Sequence, residues 1–168
     1  FADEVRRLDD PAVESTIVPS QGAHIVLARR FLPGETAIIV PKTPDGRVAF
    51  AIPWLGHTLV GTTDIPLAET PREPRPQEAE IQFLLETIGD YLREPPTPGD
   101  VLSVFAGVRP LVRQEGSRRT AELERDHVVR TSPTGLISVM GGKWTTYRKM
   151  AVEAVDQAAT VGDLPQRP

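Results

Sequence analysis

The sequence lacks several features on which common functional sites are built. It contains no cysteine, which excludes disulfide scaffolds, thiolate metal sites and cysteine nucleophiles. It has only three histidines, so no metal site is expected. No apolar run approaches the roughly 20 residues that a membrane-spanning helix needs. The net charge of −4 gives no basic excess, so nucleic acid is not an expected partner.

The spacing of the 13 glycines excludes three further loops. No two glycines are two or four positions apart, so neither G-x-G-x-x-G nor G-x-S-x-G occurs. A Gly-x-x-x-x-Gly-Lys-Ser/Thr loop is also missing. The chain therefore carries no dinucleotide fingerprint, no nucleophile elbow and no P-loop of its own.

Proline, by contrast, is abundant. It supplies 17 of the 168 residues, about twice its average share, which favours loops and edge strands over a helical bundle. The chain starts at Phe1 with a segment typical of the end of a helix. We therefore expect an excised internal piece of a larger protein, in which residues 1–20 form a leading helical segment and linker.

Hydrophobic periodicity predicts an α+β domain with an antiparallel or mixed sheet and two or three helices. The first four predicted strands should form an antiparallel meander, with Pro53 ending the third. Strands are predicted at residues 23–29, 36–40, 47–52, 57–63, 101–109, 126–131 and 136–140. Helices are predicted at residues 77–92 and 145–159, turns at 43–46 and 132–135, loops at 64–76 and 110–121, and a frayed tail at 162–168.

The most informative segment is Ser138-Val-Met-Gly-Gly-Lys-Trp-Thr-Thr-Tyr-Arg-Lys-Met150. It combines a strand, a glycine pair, a lysine and a helix start. Such a junction presents backbone N–H groups and the positive end of a helix dipole to an anion or a flat ligand. The alternative, which the pattern alone favours, is a tight turn followed by a threonine helix cap.

Two arginines and three histidines have functional and structural interpretations. Arg109, at the end of an apolar strand, suits phosphate or carboxylate, but a structural ion pair is the alternative. Arg125 taken alone is typical of a surface charge. A lone histidine such as His24 is more often a satisfied core residue than a catalyst, and the same holds for His57 and His127. Trp54 is expected to fill the core.

Five short segments occur along the chain in a fixed order. Taken together, they resemble segments of the flavin-dependent (aerobic) glycerol-3-phosphate dehydrogenases. The segments are Gly22-Ala-His-Ile-Val26, Ile52-Pro-Trp54, Val60-Gly-Thr-Thr-Asp64, Gly107-Val-Arg-Pro-Leu111 and Gly141-Gly-Lys-Trp-Thr-Thr-Tyr-Arg-Lys149.

The resemblance implies an oxidoreductase that converts sn-glycerol 3-phosphate to dihydroxyacetone phosphate by hydride transfer to bound FAD, with a quinone as the electron acceptor. It implies a substrate-binding α+β domain at residues 21–135, and a closing strand and helix of the FAD-binding domain at 136–161. The glycine fingerprint for FAD would precede Phe1, so this piece alone is expected to be inactive. The remaining domains of the parent chain are expected partners. The implied location is cytoplasmic, peripheral to the inner face of a membrane.

The resemblance also assigns site residues by matched position. The catalytic residues would be His24, Lys143 and Arg109. The substrate pocket would be lined by His24, Arg109, Arg125 and Lys143, and the flavin ring by Gly141, Gly142, Lys143, Trp144 and Thr145.

The chemistry of these residue types agrees with this division. A phosphomonoester carries close to two negative charges, which arginines and a lysine would bind. Arginine cannot accept the hydroxyl proton of the substrate, so His24 is the candidate base, although it could also act only as a hydrogen-bonding group. A non-catalytic module for polyol phosphates, or a related amine or amino-acid oxidase, remains the alternative.

Overall fold

The computed structural model describes residues 1–41, 43, 46–113 and 126–165. The helices are α1 (Ala2–Asp9), α2 (Glu78–Gly89) and α3 (Tyr147–Val161). The strands are β1 (Ile17–Ala28), β2 (Ile38–Val40), β3 (Ala49–Trp54), β4 (His57–Gly61), β5 (Ile65–Pro66), β6 (Val101–Val112), β7 (His127–Thr131) and β8 (Ile137–Gly141). They form two compact units, the central unit (residues 21–108) and the terminal unit (residues 1–20 and 109–168). The predicted α+β class is confirmed.

A six-stranded sheet forms the framework of the central unit. Its strand order is β2-β3-β4-β1-β5, and β6 also pairs with β1. The neighbours β2 and β3, β3 and β4, and β4 and β1 are antiparallel. The predicted meander therefore holds for β2, β3 and β4, but β1 pairs with β4 rather than β2. The connection between β1 and β2 includes a 3-10 turn at Arg29–Phe31. It is long enough for β2 to lie away from β1, on the far side of β3 and β4.

Helix α2 covers one face of this sheet. Alternate residues of β1 at positions 23, 25 and 27 pack with Leu84 and Ile88 of α2 in a buried cluster. Because side chains alternate across a strand, His24 lies on the opposite face. The helix begins where the Gln77 N–H donates to Glu80 Oε2 at 2.8 Å. This position matches the predicted start of the helix to within one residue.

Three strand boundaries differ from the prediction because of proline. Strand β1 begins at Ile17 and includes Pro19, six residues before the predicted start. Pro53 lies inside β3, beyond the three residues that pair with β2. On that side β3 is an edge at this position, and proline is tolerated there. Pro110 lies inside β6, which pairs only with β1 among the described strands. The predicted loop 110–121 is thus wrong for 110–112, and residues 114–121 lie outside the described ranges.

The terminal unit contains a hairpin covered by helices. Strands β7 and β8 are antiparallel, with α3 packed against both and α1 against β8. The predicted turn is confirmed, since the Gly135 N–H donates to the Ser132 oxygen at 3.0 Å and the Ser132 N–H to the Leu136 oxygen at 2.9 Å. The order β8, glycine pair, helix is also as predicted. That this part belongs to a flavin domain stays a prediction.

Two side chains that were expected in the core are exposed. Trp54 is 42% exposed at the end of β3, and His57 is exposed with its Nδ1 atom 2.9 Å from the Leu55 oxygen. Both flank the two-residue turn at Leu55 and Gly56, whose φ angles are 47° and 75°. By the alternation of side chains along β3 and β4, both lie on the sheet face opposite to α2. In the described ranges, no helix combines the length and apolar character needed to cross a membrane.

Candidate functional site

His24 lies in β1 with its ring held between aromatic side chains. The ring stacks on Phe105 of β6, with centroids 5.0 Å apart and an angle of 7° between the planes. Phe50 of β3 lies on another side of the ring, with its centroid 6.1 Å away. The Nδ1 atom of His24 is buried. These contacts fix the orientation of the imidazole on the sheet face opposite to α2.

Gly61 makes room for this ring. It pairs with His24 on one side and with Phe50 on the other, so all three lie in one row across the sheet. A Cβ atom at position 61 would lie 2.2 Å from His24 Cδ2 and 2.6 Å from Nε2, which no real contact allows. The role of Gly61 was missed by the sequence analysis. The available signal was a glycine at the end of an otherwise apolar strand, which indicates a close approach.

The chain beside His24 is anchored by a buried hydrogen-bond network. The Ala23 N–H donates to Thr63 Oγ1 at 2.8 Å, and the Thr63 hydroxyl donates to Glu80. The Gln21 side chain donates to Glu80 Oε2 at 2.7 Å. Because Glu80 is buried in α2, this network ties β1 and the end of β4 to the helix.

In the terminal unit, Gly141 and Gly142 are required by the protein's own packing. Both have positive φ angles, 72° and 79°. A Cβ at Gly141 would lie 2.6 Å from Val112 Cγ2 and 2.8 Å from the Asp126 oxygen. A Cβ at Gly142 would lie 2.5 Å from Met150 Sδ. The tight-turn alternative therefore accounts for both glycines, while their place along a flavin ring remains a proposal.

The residues after the glycine pair form an exposed turn. The Thr146 N–H donates to the Lys143 oxygen at 3.0 Å, and the Lys143 N–H donates to Thr146 Oγ1 at 3.2 Å. Lys143 and Thr145 are exposed. Trp144 is 86% exposed and stacks on Tyr147, with ring centroids 5.6 Å apart. The turn thus presents a cation next to a broad aromatic surface.

Arg109 lies in the same unit as this turn. It is partly buried in β6, and its Nη1 atom is shielded from solvent. The carbonyl oxygen of the next residue, Pro110, lies 3.6 Å from where a Cβ of Gly141 would be. The structure therefore places the strand of Arg109 beside the glycine pair. His24 belongs to the central unit, and Arg125 lies outside the described residues.

Charged side chains flank the glycine turn from β7 and α3. The side chain of His127 is buried, as predicted for a satisfied core histidine, and it contacts Asp126 and Glu153. Hydrogen bonds from the His127 backbone and side chain, together with the charge of Lys149, lower the pKa of Asp126. Asp126 is therefore ionised at neutral pH.

The chain was compared with known proteins. Residues 1–148 match the FAD dependent oxidoreductase family, also called DAO. This match spans most of the chain. The chain belongs to the FAD-dependent oxidoreductase family.

Within this family the chain is similar to glycerol-3-phosphate dehydrogenases. It is 47% identical over 164 residues to the mitochondrial glycerol-3-phosphate dehydrogenase SDP6 of Arabidopsis thaliana, which covers 98% of this chain and 26% of the relative. It is 46% identical over 154 residues to the mitochondrial enzyme of Saccharomyces cerevisiae, covering 87% of this chain and 24% of the relative. The resemblance inferred from the five segments is confirmed.

A solved structure agrees with both the fold and the family. The glycerol-3-phosphate dehydrogenase from Bacillus halodurans, complexed with FAD, matches with a TM-score of 0.80 and 31% identity. The match covers 99% of this chain and 31% of that one. The chain thus spans 24% to 31% of the length of these relatives.

The residues after β8 fit a flavin cofactor in their chemistry. The glycine pair leaves the backbone bare of side chains, Lys143 supplies a positive charge, and Trp144 supplies an exposed aromatic surface. A flavin gains negative charge on reduction, which a lysine and a helix N-terminus stabilise. The donor set therefore suits the family's cofactor.

Proposed function

We propose that this chain forms the substrate-binding part of an FAD-dependent glycerol-3-phosphate dehydrogenase. The similarity to the Bacillus halodurans enzyme over 99% of the chain is the observation that carries the proposal. The proposed reaction converts sn-glycerol 3-phosphate to dihydroxyacetone phosphate. When bound, FAD would supply the acceptor for the hydride that leaves C2 of the substrate.

Cations of the chain bind the phosphate of the substrate. Arg109 offers a planar guanidinium whose two N–H groups match two phosphate oxygens. Lys143 is exposed on a turn and adds a mobile positive charge. Arg125 completes the proposed set. Three cations suit a dianionic phosphate better than the carboxylate and amine of an amino acid, which favours this substrate class over an amino-acid oxidase.

His24 accepts the proton from the C2 hydroxyl of the substrate. The stacking on Phe105 and the fit over Gly61 support this role, because a base must be held in one orientation. Arginine cannot act as a base, and Lys143 is exposed rather than desolvated. His24 is thus the candidate that combines the right chemistry with a fixed position.

The flavin would be held by Gly141, Gly142, Lys143, Trp144 and Thr145. The backbone of the glycine pair and the aromatic surface of Trp144 would hold the ring, and Lys143 would face both the ring and the phosphate. A quinone receives the electrons, and the enzyme is cytoplasmic and lies peripherally on the inner face of the membrane. Support for the acceptor and the location comes from the family resemblance alone.

Two substitutions in the full-length protein test the proposal. Arg109→Ala and Lys143→Ala should each lower kcat/KM for dye-coupled oxidation of glycerol 3-phosphate by roughly 100-fold or more. Arg72→Ala removes an exposed cation of a loop and serves as the matched control. Near-normal turnover in both variants would refute the residue assignment. Oxidation of amino acids in place of glycerol 3-phosphate would refute the substrate.

A further inference from the structure

His127 is a buried histidine for which the proposed reaction has no role. It is the first residue of β7, and its side chain is 1% exposed. Its Nδ1 atom lies 3.0 Å from Asp126 Oδ1, and its Nε2 atom lies 2.7 Å from Glu153 Oε2. Lys149 Nζ lies 3.7 Å from Glu153 Oε1 and 4.0 Å from Asp126 Oδ2. Two carboxylates, a histidine and a lysine thus form one cluster between β7 and α3.

Each ring nitrogen of His127 lies within hydrogen-bond distance of a carboxylate oxygen, Nδ1 of Asp126 and Nε2 of Glu153. Asp126 is the neighbour of His127 in the chain, whereas Glu153 belongs to α3. The contact with Glu153 therefore links the beginning of β7 to the second turn of α3.

The same residues lie against the glycine turn. His127 pairs with Gly141 in the β7–β8 register. The Gly142 N–H donates to the Asp126 oxygen at 3.2 Å. A Cβ at Gly142 would lie 3.0 Å from His127 Cβ on one side and 2.5 Å from Met150 Sδ of α3 on the other. The turn is therefore packed between the two elements that His127 joins.

We propose that His127, held between Asp126 and Glu153, is a positioning residue for the turn that carries Lys143. The bond to Glu153 keeps α3 at a fixed distance from β7, and this distance sets the space that Gly142 occupies. Lys143 follows Gly142 directly in the chain, so the position of Gly142 also determines where the ammonium group of Lys143 lies. The inference rests on the proposed function, in which Lys143 binds the substrate phosphate. A metal role is not supported, since no group of three or more His, Asp or Glu side chains in the described ranges could hold an ion.

Loss of this positioning should weaken phosphate binding more than the chemical step. The phosphate takes no part in the bond change at C2, and we expect its contacts to be the same in the ground state and the transition state. Removing such uniform binding raises KM and leaves kcat nearly unchanged. A variant that merely unfolded the protein would instead lower the active fraction, and with it kcat, at constant KM.

The test uses three variants of the full-length protein with bound FAD. His127→Gln and Glu153→Ala should each raise KM for glycerol 3-phosphate about tenfold, with kcat within about twofold. Glu153→Gln is the matched control, because its side-chain amide can still hydrogen-bond to Nε2, and its KM should stay within about twofold of the wild type. Calorimetry with inorganic phosphate gives a second readout, and its Kd should follow the same order.

The outcomes separate this inference from the proposed function. Wild-type turnover with an unchanged KM and phosphate Kd in His127→Gln would overturn the positioning role alone. Equal losses of kcat in all three variants, with a constant KM, would show a purely structural role and also overturn it. A wild-type protein that does not oxidise glycerol 3-phosphate would refute the proposed function and this inference with it.

Discussion

The imidazole of His24 lies directly over Gly61, its partner across the β1–β4 pair. The absence of a side chain at position 61 leaves the space that the ring occupies. The ring of Phe105 stacks on the imidazole from another side. Gly61 in β4 thus determines the position of His24, the candidate base, in the neighbouring strand β1. This relationship makes the role of His24 testable without replacing His24 itself.

Gly61→Ala should displace the ring of His24 while preserving the sheet. A Cβ would lie 2.2 Å from Cδ2, so the ring must rotate away, but no positive φ angle strains the new residue. Misplacement of a reacting group by about 1 Å can cost about 100-fold in rate, so kcat/KM of the full-length enzyme should fall by about this factor. Gly34→Ala, in an exposed loop with open space around it, is the matched control. Unchanged kinetics in Gly61→Ala would speak against His24 as the base.

Gly141→Ala should destabilise the protein more than Gly142→Ala. Both positions have positive φ angles, which cost an L-residue roughly 1–2 kcal/mol. At Gly141 the Cβ also meets the backbone oxygen of Asp126 at 2.8 Å, which cannot move easily. At Gly142 the closest contacts are with the end of the flexible Met150 side chain, and His127 Cβ lies farther away at 3.0 Å. Urea unfolding measures the difference, and the reverse order would contradict the described packing.

Glu80→Ala should be strongly destabilising. Glu80 is 2% exposed and accepts hydrogen bonds from Gln21, Thr63 and the Gln77 N–H. Truncation leaves these buried donors unsatisfied, at a cost of about 1–3 kcal/mol for each donor that water cannot reach. The denaturation midpoint of the purified protein measures the loss. Glu80→Gln keeps an acceptor oxygen and should lose less, and equal losses in the two variants would contradict the network.

Asp3 should make stability depend on acid pH. Its burial raises the pKa, but hydrogen bonds from the Ile17 and Thr16 N–H groups and from Arg6 outweigh this and lower the pKa below its ordinary value of 3.8. A lowered pKa in the folded state means that the stabilisation is fully present above pH 3.8 and is lost as pH falls below it. Asp3→Asn should therefore be less stable than the wild type at pH 7, and the difference should shrink in acid. A difference that is independent of pH would contradict this account.

Local patterns predicted much of the fold. The strand that contains His24 and the helix α2 were predicted from the periodicity of single elements, and both elements are confirmed. The extension of β1 through Pro19 and the strand position of Pro53 could not be read in this way. Both depend on where the neighbouring strand ends. Proline has no backbone N–H, so it is tolerated in a strand where no neighbouring strand needs that donor.

Contacts between distant residues explain why the candidate site was predicted only in part. The five segments indicated His24 and Lys143, but the contact between His24 and Gly61 spans 37 residues, and that between His127 and Glu153 spans 26. No local period encodes such distances. Thr63 belongs to one of the five segments that carry the resemblance. In the structure its hydroxyl takes part in the buried hydrogen-bond network of Glu80.

The most direct measurement is anaerobic mixing of the full-length protein with glycerol 3-phosphate while the absorbance of its bound flavin is followed. The account predicts bleaching of the flavin by glycerol 3-phosphate and none by glycerol, with much slower bleaching in Lys143→Ala and Arg109→Ala. Bleaching by an amino acid instead, or an unchanged flavin spectrum with glycerol 3-phosphate, would contradict the central claim.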